Sequence, residues 1–245
     1  MVNPLGFSDE ATVYFYQMID VKYRFLALDR MIGAKKHRTF DLNTDNEYLW
    51  LQIRRLIENV TYACIAPDIE RYKAVHPSGK IEEDQHAKKI LDRLEGISPK
   101  SLPQPLGLMI TNPNGTKNFS GLEEARQANK KRLVDIFDLA SKHLHVMNPW
   151  VPGERVTSEK RKETSRHQAV EARNYLRTAL WDHYKMGLEF SAGDNPKGLD
   201  EWSGAYLVSM GKYDDKWPSM MLASRNDDIP YPLPVDTDLK SITAA

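Results

Sequence analysis

Arg54 and Glu58 stand four residues apart inside an otherwise apolar stretch, LWLQIRRLIENVTYACIA, residues 49–66. On a helix that spacing brings a guanidinium and a carboxylate into contact. Counted at about 100° per residue, Leu49, Ile53, Leu56, Ile57, Val60 and Cys64 share one broad face. Leu51 and Ile65 lie further round, and the two charges fall between these apolar sectors. Gln52, Arg55 and Asn59 make up the remaining polar strip. Breaking a buried ion pair costs roughly 3–5 kcal/mol, so charge in such a place needs a partner. The favoured reading is therefore a structural pair. The alternative has Arg54 facing a cleft and binding an anion such as phosphate.

Two further groupings have chemistry in them. His143 and His145 lie in KHLHVMNP. On a continuous helix they are about 200° apart, too far round to ligate one metal from one face. With Lys142 they complement the negative end of a helix. Alternatively, His145 is a general acid or base, with Asn148 as a hydrogen-bonding neighbour. Arg177 and His183 are separated by five residues in RTALWDH. His183 shares a stripe with Leu176, Ala179 and Leu180, as a core histidine would. In a straight helix Arg177 is about 240° away from it, so a shared site needs a bend or a second subunit.

Other chemistry is missing. There is no GxGxxG or GxxxxGK[ST] phosphate loop, no HExxH and no GxSxG. No acidic cluster has metal-site spacing, so neither cofactor nor metal is expected. Cys64 is the one cysteine, which rules out an internal disulfide and a cysteine-based zinc site. The basic segments Lys35–Arg38, Lys130–Arg132 and Lys160–Lys162 read as solvated faces first and as an RNA surface second.

Composition sets the frame. The chain has 245 residues, 41% hydrophobic and 28% charged, enough for a real core. Lys plus Arg and Asp plus Glu number 34 each, which argues against broad binding to nucleic acid or membrane surfaces. No apolar run reaches membrane-span length. The opening residues lack a basic run ahead of an apolar one, so a cytoplasmic location is expected. The sequons at Asn59, Asn114 and Asn118 then carry no glycan.

Helices must position these groups. Ser8 or Asp9 can cap a first helix to about Ile32, whose apolar residues include Val13, Phe15, Tyr16, Ile19, Tyr23, Leu26 and Leu28. Asp45 is the expected cap of the second helix, which Pro67 should break. A short helix spans His86 to Leu94, and a strand spans Leu106 to Thr111. Ser120 is the expected cap of a helix with a stripe of Leu133, Ile136, Phe137, Ala140 and Leu144. A long helix runs from Thr157 to Gly187. GAYLVSM and SMMLASR pair as a hairpin across GKYDDKWP. The prediction is a mainly α protein: one domain over 1–245, with a bundle of about five helices over 1–190. A small C-terminal β-hairpin follows over 200–226, then an extended or disordered tail over 227–245.

The arginine-bearing helix, the later helix ending in a histidine before Asn-Pro, and the R-x5-H element together resemble the HEPN superfamily. The resemblance covers roughly Asp45 to Gly187. HEPN proteins are compact helical domains of bacterial defence and toxin systems. Many are metal-independent RNases that act through an R-x4–6-H motif across a dimer; others serve as binding modules. The motif carries over to Arg177 and His183, with Thr178 where Asn, Asp or His often follows the arginine.

Two readings follow. The first is a non-catalytic or regulatory module that self-associates and binds a protein or RNA partner. The second is a metal-independent RNase. There His183 or His145 moves the 2′-hydroxyl proton, and Arg177 or Arg54 stabilises the phosphorane. A third is a small-molecule sensor with Trp50, Trp150, Trp181 and Trp202 around its pocket.

Overall fold

A computed structural model describes residues 9–39, 41–84, 86–97, 101–111, 113, 117–121, 129–145, 158–186 and 204–224. The elements in order are α1 (Asp9–Ile32), α2 (Leu42–Ala63), a 3-10 turn (Ala66–Asp68), α3 (Ile69–Val75), a second 3-10 turn (Ile81–Glu83) and α4 (Ala87–Ile97). There follow β1 (Gln104–Thr111), β2 (Lys117–Gly121), α5 (Lys130–Leu144), α6 (Ser158–Leu180), β3 (Asp182–Met186), β4 (Gly204–Ser209) and β5 (Ser219–Ser224). The fold is a mainly helical domain with a small β-sheet towards its C-terminal end.

Helix α2 is the hub and packs against α1, α4, α5 and α6. Leu49, Ile53, Leu56, Ile57 and Cys64 are fully buried, and Val60 almost so, as the angular reading requires. Trp50 is also fully buried, whereas Leu51 is exposed. Each such buried aliphatic side chain contributes roughly 1.5–3 kcal/mol. On α1 the buried stripe is Ala11, Tyr14, Phe15, Met18, Val21, Phe25, Leu28 and Met31, spaced at three and four residues. Val13, Tyr16 and Tyr23 face outward, so only part of the expected apolar set forms the core.

Helix α2 breaks where Pro67 forbids a continuing backbone bond, and the chain restarts through the 3-10 turn into α3. The cap of α2 is Asp41 rather than Asp45. Asp41 accepts the Thr44 N–H at 2.9 Å, and Thr44 Oγ1 accepts the Asp41 N–H at 3.1 Å, a reciprocal capping box. Asp45 lies one turn inside, buried, and accepts from Thr39 N (2.9 Å), Thr39 Oγ1 (2.8 Å) and His37 Nδ1 (3.0 Å). Ser120 lies in β2. The cap of α5 is Asn129, whose side chain accepts from Arg132 N at 2.7 Å.

The largest departure is at the end of α6. The helix stops at Leu180 and Asp182–Met186 becomes β3, the middle strand of a five-stranded sheet ordered β2-β1-β3-β4-β5 with every neighbouring pair antiparallel. The expected hairpin is β4 and β5, in register from Gly204↔Ser224 to Ser209↔Ser219. Gly211, at φ 65°, supplies the left-handed residue of its turn. His183 and Lys185 share the buried face of the sheet with Tyr206, Val208 and Met220. Those three apolar residues belong to the same core as the helices. No helix among the described residues is long and apolar enough to cross a membrane.

Candidate functional site

On α2 the spacing translates directly into contact. Arg54 Nε donates to Glu58 Oε1 at 3.2 Å, and Arg55 Nη1 donates to Glu58 Oε2 at 3.0 Å. Glu58 is buried, while the Arg54 side chain is 36% exposed. Arg54 also lies over the Phe137 ring, 5.0 Å from its centroid, so one guanidinium joins a carboxylate to an α5 aromatic. Arg55, assigned to the polar strip, is a second partner of the same carboxylate. Half-exposed pairs of this kind contribute little. Arg54→Met should therefore cost about 1 kcal/mol or less in urea unfolding, because Arg55 still holds Glu58.

His143 lies flat on Trp50, with centroids 4.7 Å apart and planes 10° from parallel. Trp50 Nε1 donates to Ser165 Oγ at 2.9 Å, Ser165 Oγ lies 3.1 Å from His143 Nδ1, and Gln168 Oε1 lies 3.0 Å from His143 Nε2. Gln168 Oε1 only accepts, so the proton sits on Nε2 and Nδ1 accepts from Ser165. Burial lowers the His143 pKa, helped by the charges of Arg161 and Lys142. His143 is thus a neutral link between α2, α5 and α6, not a charge on the helix dipole. His145 is the exposed C-cap of α5. Asn148, Trp150 and Trp202 lie outside the described residues.

Arg177 and His183 are not brought together. Arg177 Nη1 donates to Asp29 Oδ2 at 2.8 Å and also bonds the Tyr213 hydroxyl. Its guanidinium covers the Trp181 ring at 3.9 Å and the Tyr213 ring at 4.9 Å. Arg173 Nε reaches Asp29 Oδ1 at 2.6 Å, and Tyr213 donates to Oδ2. Asp29 is thereby the clamp that fastens α1 to α6 and to the β4–β5 turn. His183 is fully buried. Its Nδ1 faces the Leu180 carbonyl at 2.9 Å and its Nε2 the Tyr14 hydroxyl at 2.7 Å. The carbonyl only accepts, so Nδ1 carries the proton and Nε2 accepts from Tyr14. Burial pushes the imidazole down to about 4, and the Lys185 charge acts in the same direction. Burial likewise pushes the Cys64 thiol up to about 11 and the Tyr14 hydroxyl up, and lowers Lys185.

Two features escaped the sequence reading. The first is a carboxylate hub at Asp84, which accepts from Tyr72 Oη of α3 and from Arg93 Nη1 of α4, and pairs with His76 Nε2 at 3.2 Å. Burial pushes the Asp84 pKa up, but the bonds from Tyr72 and Arg93 and the charge of Arg93 outweigh it, so the carboxyl titrates below its usual range. His76 Nδ1 lies 3.1 Å from Ser78 Oγ, which is also 2.8 Å from Glu83 Oε2. Ser78, His76 and Asp84 thus form a hydroxyl–imidazole–carboxylate chain. None of the three lines the cleft described next, so the chain is read as the fastening of the 76–84 loop.

The second feature is a cleft of about 620 Å³ between the end of α1 and the start of α2. It is lined by Ala27, Asp29, Arg30, Met31, Gly33, Arg38 and Tyr48. Of the three basic segments, Lys35–Arg38 is the one that reaches it. Lys130 is instead paired with Asp92 at 2.7 Å and with Glu95, and Arg132 covers the Tyr175 ring at 5.5 Å. Neither Trp50 nor Trp181 lines the cleft. Among the described residues, no group of three or more His, Cys, Asp or Glu is placed to hold a metal ion. Comparison of the chain with protein-family models, with curated proteins and with solved structures finds no match.

Proposed function

We propose that this chain is a non-catalytic, regulatory helical module of the HEPN-like type, serving a bacterial defence or toxin-type system. It associates with itself and binds a protein or RNA partner without cutting it. One observation carries the reading: both residues of the R-x5-H spacing are occupied by the fold. A histidine that moves the 2′-hydroxyl proton must reach within about 3 Å of it, and His183 is sealed against Tyr14 and Leu180. An arginine that stabilises a phosphorane must offer open N–H groups. Arg177 gives Nη1 to Asp29 and Tyr213 and lays its plane over Trp181.

The test is incubation of the purified full chain with total RNA in EDTA, beside His183→Ala and His145→Ala. No cleavage above the level of a mock purification is expected from any of the three. Cleavage that persists in EDTA and disappears in either variant would establish the metal-independent RNase instead.

A further inference from the structure

We propose that Ser78 is a covalent acceptor for small activated acyl groups, with His76 taking the hydroxyl proton as the acyl group arrives. The modification is stoichiometric, so it goes beyond the binding role argued above and does not depend on it.

Proton placement is the first argument. The Asp84 carboxylate only accepts, so the ring proton of His76 sits on Nε2, 3.2 Å from Asp84 Oδ2. Nδ1 is then a bare lone pair. The Ser78 N–H, which can only donate, points to it at 3.3 Å. The Ser78 hydroxyl oxygen lies 3.1 Å from the same nitrogen, within reach for proton transfer. A nucleophile, a base and a group that orients the base thus stand in one chain. That arrangement activates a serine whatever the order of its members in the sequence. Tyr72 and Arg93 hold Asp84 ionised, and a carboxylate beside Nε2 favours the imidazolium that forms when the proton arrives. His76 and Asp84 are buried while Ser78 is exposed, so the base is fixed and the nucleophile faces outward.

The surroundings of the hydroxyl select the reagent. Gly79 follows at φ 68°, and a Cβ built on it would meet nothing within 4 Å, so Ser78 stands on an open turn. An open turn offers little to hold a long chain, and a small group such as acetyl suits it. The Lys80 N–H points to Ser78 Oγ at 3.4 Å. Strong stabilisation of a tetrahedral oxyanion uses donors at about 2.7–3.1 Å. One donor further off leaves most of the driving force to the leaving group, which favours thioesters, acyl phosphates and aryl esters over amides. In the step, the bond from Oγ to the acyl carbon forms and the bond from that carbon to its leaving oxygen or sulfur breaks. The hydroxyl proton passes to His76 Nδ1 and from there to the leaving group or water. A serine alkoxide is a far poorer leaving group than those it displaces, so the new ester persists.

Glu83 supplies a restraint. The hydroxyl has one proton and a second acceptor, Glu83 Oε2 at 2.8 Å. Rotation about the Cβ–Oγ bond decides whether the carboxylate or the imidazole receives it.

The test treats the full chain with p-nitrophenyl acetate and locates the acetyl group by peptide mass spectrometry. A burst of about one p-nitrophenolate per chain is expected, the sign of an accumulating acyl intermediate, with the acetyl group on Ser78. Ser78→Ala should abolish the burst. His76→Gln should slow it about a hundredfold, the loss of a general base. Glu83→Ala should speed it about fivefold, the worth of one competing hydrogen bond. Ser78 and Glu83 are exposed, so their variants should keep the wild-type thermal midpoint and decide the matter even if His76→Gln fails to fold. Acetyl phosphate and an acetyl thioester are then compared as donors, and the one that acetylates Ser78 is the source class. A burst unchanged in Ser78→Ala, acetyl found only on lysines, a slower burst in Glu83→Ala, or transfer from neither donor overturns the proposal.

Discussion

Acidification from pH 7 to pH 4 should remove about 3 kcal/mol of stability through one imidazole, that of His183. A free histidine titrates near 6.5, and burial holds His183 at about 4. At about 1.4 kcal/mol per pH unit, that gap sets the size of the effect. The sign follows from which state takes up the proton. Below about pH 6.5 the unfolded chain binds one that the folded chain refuses, so unfolding is favoured as pH falls. The contribution is complete above 6.5, is lost on the way down to about 4, and changes no further below it. The surroundings explain the refusal. Nδ1 already donates to Leu180, so a second proton would go to Nε2 and displace the one Tyr14 donates there. Lys185 on the same strand face adds an unfavourable charge, and Cys64 and Tyr14 stay neutral and cannot compensate it. Urea unfolding of the wild type and of His183→Gln, measured from pH 7 to 4, checks this. The variant should lose the His183 share of the slope, about 3 kcal/mol across that window, and keep what His143, also lowered by burial, contributes in the same direction. An equal slope in both proteins would show that His183 is not the titrating group.

The second large effect is expected at Asp84. Asp84→Asn should destabilise the fold by roughly 3–5 kcal/mol, the range for removing one partner of a buried charge pair. Arg93, only 22% exposed in its side chain, then keeps its charge with no carboxylate to meet it. The Tyr72 hydroxyl, whose pKa burial and its bond to the carboxylate push up to about 12, must then share one neutral amide oxygen with Arg93. His76 loses the group that orients its ring. Arg93→Met should cost less, and adding it to Asp84→Asn should restore part of the loss, because the stranded charge is gone. Strictly additive losses would show that the two side chains are not coupled. The wild type should also weaken as pH falls from about 4 towards the depressed Asp84 pKa, below the His183 window, since the unfolded carboxyl is protonated first.

How far the sequence could be read depends on the range of the interaction involved. The face of α2 and the Arg54–Glu58 contact were legible, because a spacing of three or four residues maps directly onto neighbours on a helix. The β4–β5 hairpin was legible for a related reason, since two β-rich runs flank one polar turn. Asp41 and Asp45 carry the same local cap signal four residues apart. Which of them caps α2 was decided when the 37–39 backbone turned onto Asp45. Ser120 is an acceptable cap in isolation, but pairing with β1 draws its segment into a strand.

By itself, then, the sequence determined a helical core built round Leu49–Cys64, the break at Pro67 and the terminal hairpin. Each is written in local periodicity or in a single backbone constraint. Tertiary structure decided the rest. Residues 182–186 continue a helical pattern and place His183 and Lys185 inward, where an apolar alternation would have announced a strand. Only edge-to-edge bonding with β1 and β4 makes them β3. The same step sends His183 into the core and leaves Arg177 on Asp29 of a helix 148 residues away, so two residues close in sequence never share a site. The cleft arises in the same way. Arg30 and Arg38 face one space because α1 ends and α2 begins beside it, and a sequence shows the charges of two helix ends without showing the space between them.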